Sequence, residues 1–295
     1  MERAQTTKRR LLRAGLYLLV LFIVLETVLP FAWLFISSIT SNEELVINPK
    51  HWIPQHPTWE RYNSILFGNE ISFRGASLKG PAEMFQKSLV NSLIIAGCVT
   101  VLSLFFGTLS AYAYSRLRFR FKNTLLILAI AVQMLPPIAI IIPLYILLKD
   151  FHMDNSFINL SLIYCSITVT YVIWIMSGFF NTVPRDLEES ARIDGCSRLG
   201  ALFRVVIPVS VPGLVATGIL SFLTIWNEFL LALVFINDGS AKTISLAIGE
   251  FSTQFSVDYG MMSAGGIMIS IPPVLLALAF QRYIVAGLTN GAVKG

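Results

Sequence analysis

The stretch N-T-V-P-R-D-L-E-E-S-A-R-I-D-G-C-S-R-L-G-A-L-F-R-V-V-I-P, residues 181–208, decides how the rest of the chain is read. It is rich in charges of both signs and holds no apolar run long enough to cross a bilayer, yet it lies between two runs that are. Pro184 suits the first turn of a helix, and Asp186, Glu188 and Glu189 follow close to its positive end. Leu187, Ala191 and Asp194 recur at helical spacing, Gly195 permits a sharp turn, and Ser197 is placed to cap a second helix reaching about Val206. Leu199, Leu202, Phe203 and Val206 form one apolar stripe on that second helix, with Arg192, Arg198 and Arg204 on more polar surface. The segment therefore predicts two short amphipathic helices lying beside a membrane. They suit either an apolar knob with a charged rim, docking into a groove of a soluble partner, or a connector resting on lipid headgroups. The residues alone leave both open.

Composition supplies the membrane. The 295 residues are 55% hydrophobic and only 13% charged, where a soluble domain carries about a quarter charged residues. Mean hydropathy is +0.70. This excludes an ordinary soluble α/β enzyme and predicts an all-α polytopic membrane protein, since in lipid only helices satisfy their own backbone along such runs. The net charge of +5 fits Lys and Arg bias in cytoplasmic loops, and no nucleic-acid partner is expected. Cys98, Cys165 and Cys196 show no close pairing, against a disulfide scaffold. The N-terminus is basic and then apolar, but the apolar run is too long for a signal peptide and no small-x-small site follows, so a retained first span is expected.

Six spans follow in order, at 16–36, 89–114, 124–148, 157–179, 212–236 and 261–280. Residues 1–13 form a basic tail, 39–87 a polar excursion with interfacial aromatics, and 282–295 a second tail, all within a single permease domain over 1–295. Glu26 inside the first span should face protein or snorkel, and Pro30 should loosen or kink that helix. Gly97, Gly107, Ser110 and Ala111 suit close helix packing in the second span. Gln133, Pro136, Pro137 and Pro143 break the third, which is tolerated where neighbouring protein or water satisfies the freed carbonyls. With six spans both termini share a side, and 15 of the 22 Lys and Arg residues fall on the side of the tails, 116–122 and 181–208. That side is expected to be the cytoplasm.

No catalytic constellation is visible. His51, His56 and His152 lack metal-ligand spacing, and there is no G-x-x-x-x-G-K-[ST], so any ATP must be held by another subunit. A polar solute needs hydrogen bonds and aromatic surface, and the candidates within the spans are Gln133, Tyr171, Trp226, Asn227 and Glu228. Each also has a plain structural reading: Gln133 packing between helices, Tyr171 in the core, and Trp226 to Glu228 near the outer interface.

The run E-S-A-R-I-D-G at 189–195, nine further residues, and V-V-I-P at 205–208 closely resembles the EAA loop of ABC importer permeases, Glu-Ala-Ala, three residues, Gly, nine residues, Ile-x-Leu-Pro. Ser190 and Cys196 stand where Ala is usual, and Val205 and Ile207 replace the Ile and Leu; all are mild changes. W-N-E-F at 226–229 and the tail Q-R-Y-I-V-A-G-L-T-N-G-A-V-K-G at 281–295 look like the MalG-type, maltose/trehalose group of carbohydrate importers. The resemblance implies a type I importer permease of MetI-like fold in a bacterial or archaeal inner membrane. It implies a second homologous permease, an ATPase dimer holding ATP and Mg2+, and an extracytoplasmic sugar-binding protein as partners beside membrane lipid. It assigns ATPase contact to Glu189, Ser190 and Ala191, the inter-helix turn to Asp194 and Gly195, and the remaining coupling surface to Leu199, Phe203 and Pro208. It gives the C-terminal tail, with Lys294, a place between the ATPase subunits. The same architecture carrying another solute such as glycerol phosphate, and a secondary transporter working alone, are the competing readings.

Overall fold

The computed structural model describes residues 2–46, 52–69, 72–73, 76–77, 79–151, 157–236, 239–251 and 258–292. His51, His152 and Lys294 lie outside the described residues. The chain runs α1 (Glu2–Ile39), α2 (Asn42–Leu45), α3 (Glu60–Phe67), the two-residue strands β1 (Ser72–Phe73) and β2 (Ala76–Ser77), and α4 (Lys79–Arg116). It continues through α5 (Lys122–Gln133), α6 (Pro137–Asp150), α7 (Phe157–Thr182), α8 (Arg185–Ile193), α9 (Arg198–Ala201), a π-helical turn at Leu202–Val206 and α10 (Ile207–Val209). The last helices are α11 (Val211–Trp226), α12 (Leu230–Phe235), α13 (Ile244–Ala247) and α14 (Tyr259–Ala292).

Among the described residues, four segments are single helices long and apolar enough to cross a membrane: Leu12–Ile39, Ala82–Arg116, Phe157–Thr182 and Tyr259–Tyr283. Two bent pairs bring the number to six if each is one span: Lys122–Gln133 with Ile138–Asp150, at 98°, and Arg198–Val209 with Val211–Trp226, at 81°. The fold is therefore all-α and multi-spanning, as the apolar runs require. Three boundaries differ from the sequence reading. The basic tail is a helical extension of the first span, and the helix continues through Pro30. The fifth run is not one helix over 212–236, because α11 stops at Trp226 and α12 resumes at Leu230. The final tail continues α14 as helix to Ala292. Glu26 is exposed, and the most apolar window of α1 is 0% buried within the chain.

Contacts group into two compact units, residues 1–83 with 248–270, and residues 84–247 with 271–295. The first is organised by one buried cation. Arg61, on α3, is 4% exposed. Its Nη1 donates to Ser38 O at 2.9 Å and Thr40 O at 2.6 Å, satisfying carbonyls left without helical partners at the end of α1. Its Nη2 donates to Asn42 Oδ1 at 2.8 Å, and its Nε lies 4.0 Å from Asp258 Oδ1. Asp258, also buried, accepts from the Met261 N–H at 2.9 Å and so caps α14. Burial pulls the Arg61 pKa down, and the Asp258 carboxylate opposes that shift. Gly260 is required here, because a Cβ would collide with the Arg61 guanidinium. Around this node Trp59 packs on Phe35 and Tyr62, and Tyr62 shares a 2.7 Å hydrogen bond with Ser38.

The second unit is a close packing of α4, α7, the π turn and α11. Its core joins Ala111 and Tyr112 of α4 to Val172, Met176 and Phe180 of α7 and to Leu202 and Val206 of the π turn. Small residues set the spacing: a Cβ at Gly107 would lie 2.5 Å from Val172 Cγ1, and one at Gly213 2.5 Å from Phe179 Cγ. Ser103 of α4 and Thr168 of α7 share a buried 2.5 Å hydrogen bond across the same interface.

Arg61→Met leaves the Asp258 carboxylate buried without its cation and is expected to cost about 3–5 kcal/mol. Thermal unfolding of detergent-purified protein checks this: the single variant unfolds well below wild type, and Arg61→Met/Asp258→Asn recovers part of the loss.

Candidate functional site

The charged loop folds as two helices joined by a tight turn, and each turn signal in the sequence is used. Pro184 is the N-cap of α8, and Asp186 and Glu188 stand in its first turn. Gly195 takes φ +90°, a conformation that residues with a Cβ avoid. The Cys196 N–H donates to Ala191 O at 3.0 Å and the Gly195 N–H to Arg192 O at 3.1 Å, the paired bonds of a Schellman ending. Asp194 contributes its own N–H to Ser190 O at 3.0 Å. Ser197 then caps α9 by accepting from the Gly200 N–H at 3.1 Å. The ladder widens to π-type bonding over Leu202–Val206, just before Pro208, whose nitrogen has no hydrogen to donate.

The apolar stripe of the second helix divides between two jobs. Leu202 and Val206 are buried in the core, whereas Leu199 and Phe203 are 58% and 52% exposed. Leu187 and Ile193 are exposed beside them, which the stripe did not foretell. Glu189, Ser190, Arg192, Arg204 and Pro208 are exposed, and Ala191 is buried against the fold. The free surface of the loop thus carries exposed apolar side chains beside charges of both signs, and Phe203 also lines an apolar cleft with Leu104, Phe105, Leu109, Ile207 and Leu214.

What holds this surface is a buried polar clasp. Arg116, the last residue of α4, places Nε 3.0 Å from Glu188 Oε2, with side chains only 6% and 11% exposed. Its Nη2 donates to Val183 O at 2.8 Å, gripping the link between α7 and α8. The Tyr112 hydroxyl donates to the other Glu188 oxygen and lies 3.2 Å from Arg198 O at the start of α9. One carboxylate therefore receives α4 twice, and both loop helices are tied to that span. A cleft lined by Arg116, Arg185, Glu188, Glu189, Arg192 and Arg198 opens beside the clasp. Sequence reasoning counted Arg116 as a topology charge and Glu188 as a helix-end charge and missed the pair. The available signal was Glu188 lying three residues before Ala191, on the same inward face.

The five solute candidates separate. Trp226 is 2% exposed and stacks on Phe222, with ring centroids 5.5 Å apart. Tyr171 is half-buried against the core. Gln133, at the end of α5, and Asn227, the C-cap of α11, are exposed, and Glu228 is half-buried beside Tyr164. Among the described residues no group of three or more His, Cys, Asp or Glu side chains could hold a metal ion.

Apolar spans, two of them bent or broken, with one anchored amphipathic loop, define a membrane permease. The chain belongs to the family of binding-protein-dependent transport system inner membrane components, whose model matches residues 103–290. It is 34% identical over 266 residues, 90% of this chain and 88% of the relative, to the sulfoquinovosyl glycerol transport system permease SmoH of Agrobacterium fabrum. It is 32% identical over 294 residues, 99% of each chain, to the trehalose/maltose transport system permease MalG of Thermococcus litoralis. Such spread among relatives shows the family without singling out its MalG-type branch. In fold the chain is similar to a bacterial ABC transporter involved in alginate import, with a TM-score of 0.74 at 18% identity over 93% of this chain and 96% of that one. The methionine transporter MetNI gives a TM-score of 0.53 at 14% identity over 68% and 96%, and the MetI-like permease fold is thereby shown. The protein is a multi-pass, non-catalytic permease subunit of an ABC importer for a polar solute.

A Cβ at Gly195 meets nothing within 4 Å, so Gly195→Ala carries only the backbone penalty, about 1–2 kcal/mol. Amide hydrogen exchange reads it directly: the Cys196 N–H is expected to exchange roughly 5- to 30-fold faster in the variant, with α4 and α7 unchanged.

Proposed function

We propose that this chain is one of two homologous permease subunits of an ATP-driven, binding-protein-dependent sugar importer, forming half of the pathway for a disaccharide or oligosaccharide such as maltose or trehalose. Residues 181–208 dock on an ATPase dimer in the cytoplasm, on the side of both termini, and a sugar-binding protein docks on the opposite face. ATP and Mg2+ belong to the ATPase subunits, and this chain binds no cofactor. The observation that carries the reading is the exposed Leu199–Phe203 knob on a loop clasped to a membrane span. Two exposed apolar residues on a charge-rich loop suit insertion into a groove, and the clasp gives an ATPase movement a path to α4. Glu189 and Ser190, exposed on the same loop, form the charged part of the contact, and Gly195 with Asp194 fixes the angle between its helices.

Coupling of this kind requires only that the ATPase states bind the loop with different affinity; linkage then ensures that the permease states favour different ATPase states in return. The sugar class is supported by relatives named for trehalose and maltose, melibiose, raffinose and stachyose, and diacetylchitobiose uptake. It is supported too by the absence of Lys and Arg from residues 123–148 and 205–241, where an anionic solute such as glycerol phosphate would need a cation.

Purification from native membranes in mild detergent tests this. Wild type is expected to bring down an ATPase whose hydrolysis rises with maltose- or trehalose-loaded binding protein. Leu199→Ser/Phe203→Ser, which alters only exposed side chains, is expected to lose the ATPase or at least tenfold of that stimulation. A wild-type chain that purifies alone, with a variant that transports normally, sinks the reading.

A further inference from the structure

Apart from the bend between α10 and α11, two apolar runs of the second unit are interrupted, after Gln133 and after Trp226, and both of these interruptions are bonded to one turn of α7. α5 ends at Gln133, whose Nε2 donates to Ile167 O at 2.7 Å. Between α11 and α12, the Glu228 carboxylate accepts from the Leu231 N–H at 2.7 Å, the Ala232 N–H at 3.2 Å and the Tyr164 hydroxyl. Tyr164 and Ile167 stand three residues apart on α7, so they occupy neighbouring positions on one side of that helix. At 1.5 Å per residue they lie roughly 10–15 Å from its Phe157 end, well inside a membrane-length helix. The turn is itself fixed, through the Thr168–Ser103 hydrogen bond to α4.

Glu228 is occupied. Its two oxygens take three donors, two of them N–H groups at the start of α12 that have no intrahelical partner and that lipid cannot satisfy. Gln133 and Asn227 differ. Both side chains are exposed, and each spends its amide NH2 on a carbonyl, Asn227 on Leu223 O at 2.9 Å. That leaves Gln133 Oε1 and Asn227 Oδ1 as acceptors on exposed side chains. An acceptor facing hydrocarbon at this depth is costly, whereas one facing water or a hydroxylated solute is satisfied.

We propose that Gln133 and Asn227 line the aqueous passage contributed by this chain and present amide oxygens to the hydroxyl groups of a neutral solute, while Tyr164 and Glu228 are positioning residues that hold the break between α11 and α12. The solute class rests on the sugar-importer reading above; the lining itself does not.

The test uses the assembled transporter in membrane vesicles, with Cys98, Cys165 and Cys196 replaced by Ser and single cysteines introduced by Gln133→Cys, Asn227→Cys and, as a buried control on α7, Ile163→Cys. A charged, membrane-impermeant methanethiosulfonate is expected to modify the first two and spare the control, with maltose or trehalose slowing modification in transporting vesicles. Tyr164→Phe, which removes only the hydroxyl that holds Glu228, is expected to change the modification rate at Asn227→Cys at least threefold and to leave that at Gln133→Cys unchanged. Gln133→Leu and Asn227→Leu are each expected to slow transport about tenfold, the loss of one hydrogen bond, with binding-protein docking unaltered. Failure of either cysteine to react in vesicles that transport, or an identical rate at Asn227→Cys with and without Tyr164→Phe, overturns the proposal. Reaction at both positions in a transporter that moves neither sugar sustains the lining and refutes the sugar assignment.

Discussion

The interaction on which the rest of the site depends is the buried contact of Arg116 with Glu188. Two charges held at 3.0 Å, each almost removed from solvent, are expensive to separate, because either one left alone stays buried without a partner. Such a pair adds little net stability compared with an apolar substitute, but it fixes geometry, and here it fixes a surface loop to a membrane span. Tyr112 bonds the remaining carboxylate oxygen and Arg116 also holds Val183 O, so α8 cannot rotate about its axis without breaking hydrogen bonds inside the fold. The exposed side of α8 and α9 inherits that fixity, and so does the direction in which Leu199 and Phe203 point.

A loop built this way is a lever rather than a tether. Its turn is closed by Schellman bonds at Gly195 and a serine cap at Ser197, both local and both independent of any partner. Its core edge, Leu202 and Val206, packs into α4 and α7. Force applied to the knob therefore reaches α4 through the ion pair and α7 through packing. On α7 the same packing leads to the turn bearing Tyr164 and Ile167, where both broken spans are held. The second unit thus holds an exposed apolar surface on its loop and a polar turn of α7 within the same packed set of helices.

Much of this was legible in sequence, and what was not has physical reasons. Spans, the broken third run and the turn at Gly195 are readable because length, proline and backbone constraint act locally. Pro184 and Ser197 announce helix starts for the same reason. The stripe Leu199, Leu202, Phe203 and Val206 was visible, but which edge is covered depends on where α4 and α7 lie. The division of the fifth run at Asn227 was hidden because Asn227 and Glu228 read as solute-binding or interfacial residues, and only the structure shows Glu228 capping α12. Arg61 and Asp258 are nearly two hundred residues apart, and Arg116 and Glu188 more than seventy; pairs so distant leave no local signature.

The central claim is that the clasp makes the loop and α4 move as one body. Solute transported per ATP hydrolysed, measured in the purified complex of Glu188→Gln against wild type, addresses it most directly. The amide keeps the shape of the carboxylate and leaves the exposed side chains of Leu199 and Phe203, the proposed docking surface, untouched, so under this account the ATPase remains bound and continues to hydrolyse ATP. The account predicts that transport per ATP falls at least tenfold, because motion at the loop no longer reaches α4 through the ion pair. An unchanged ratio, with the ATPase still attached, contradicts it and leaves Arg116 and Glu188 as a structural pair with no part in coupling.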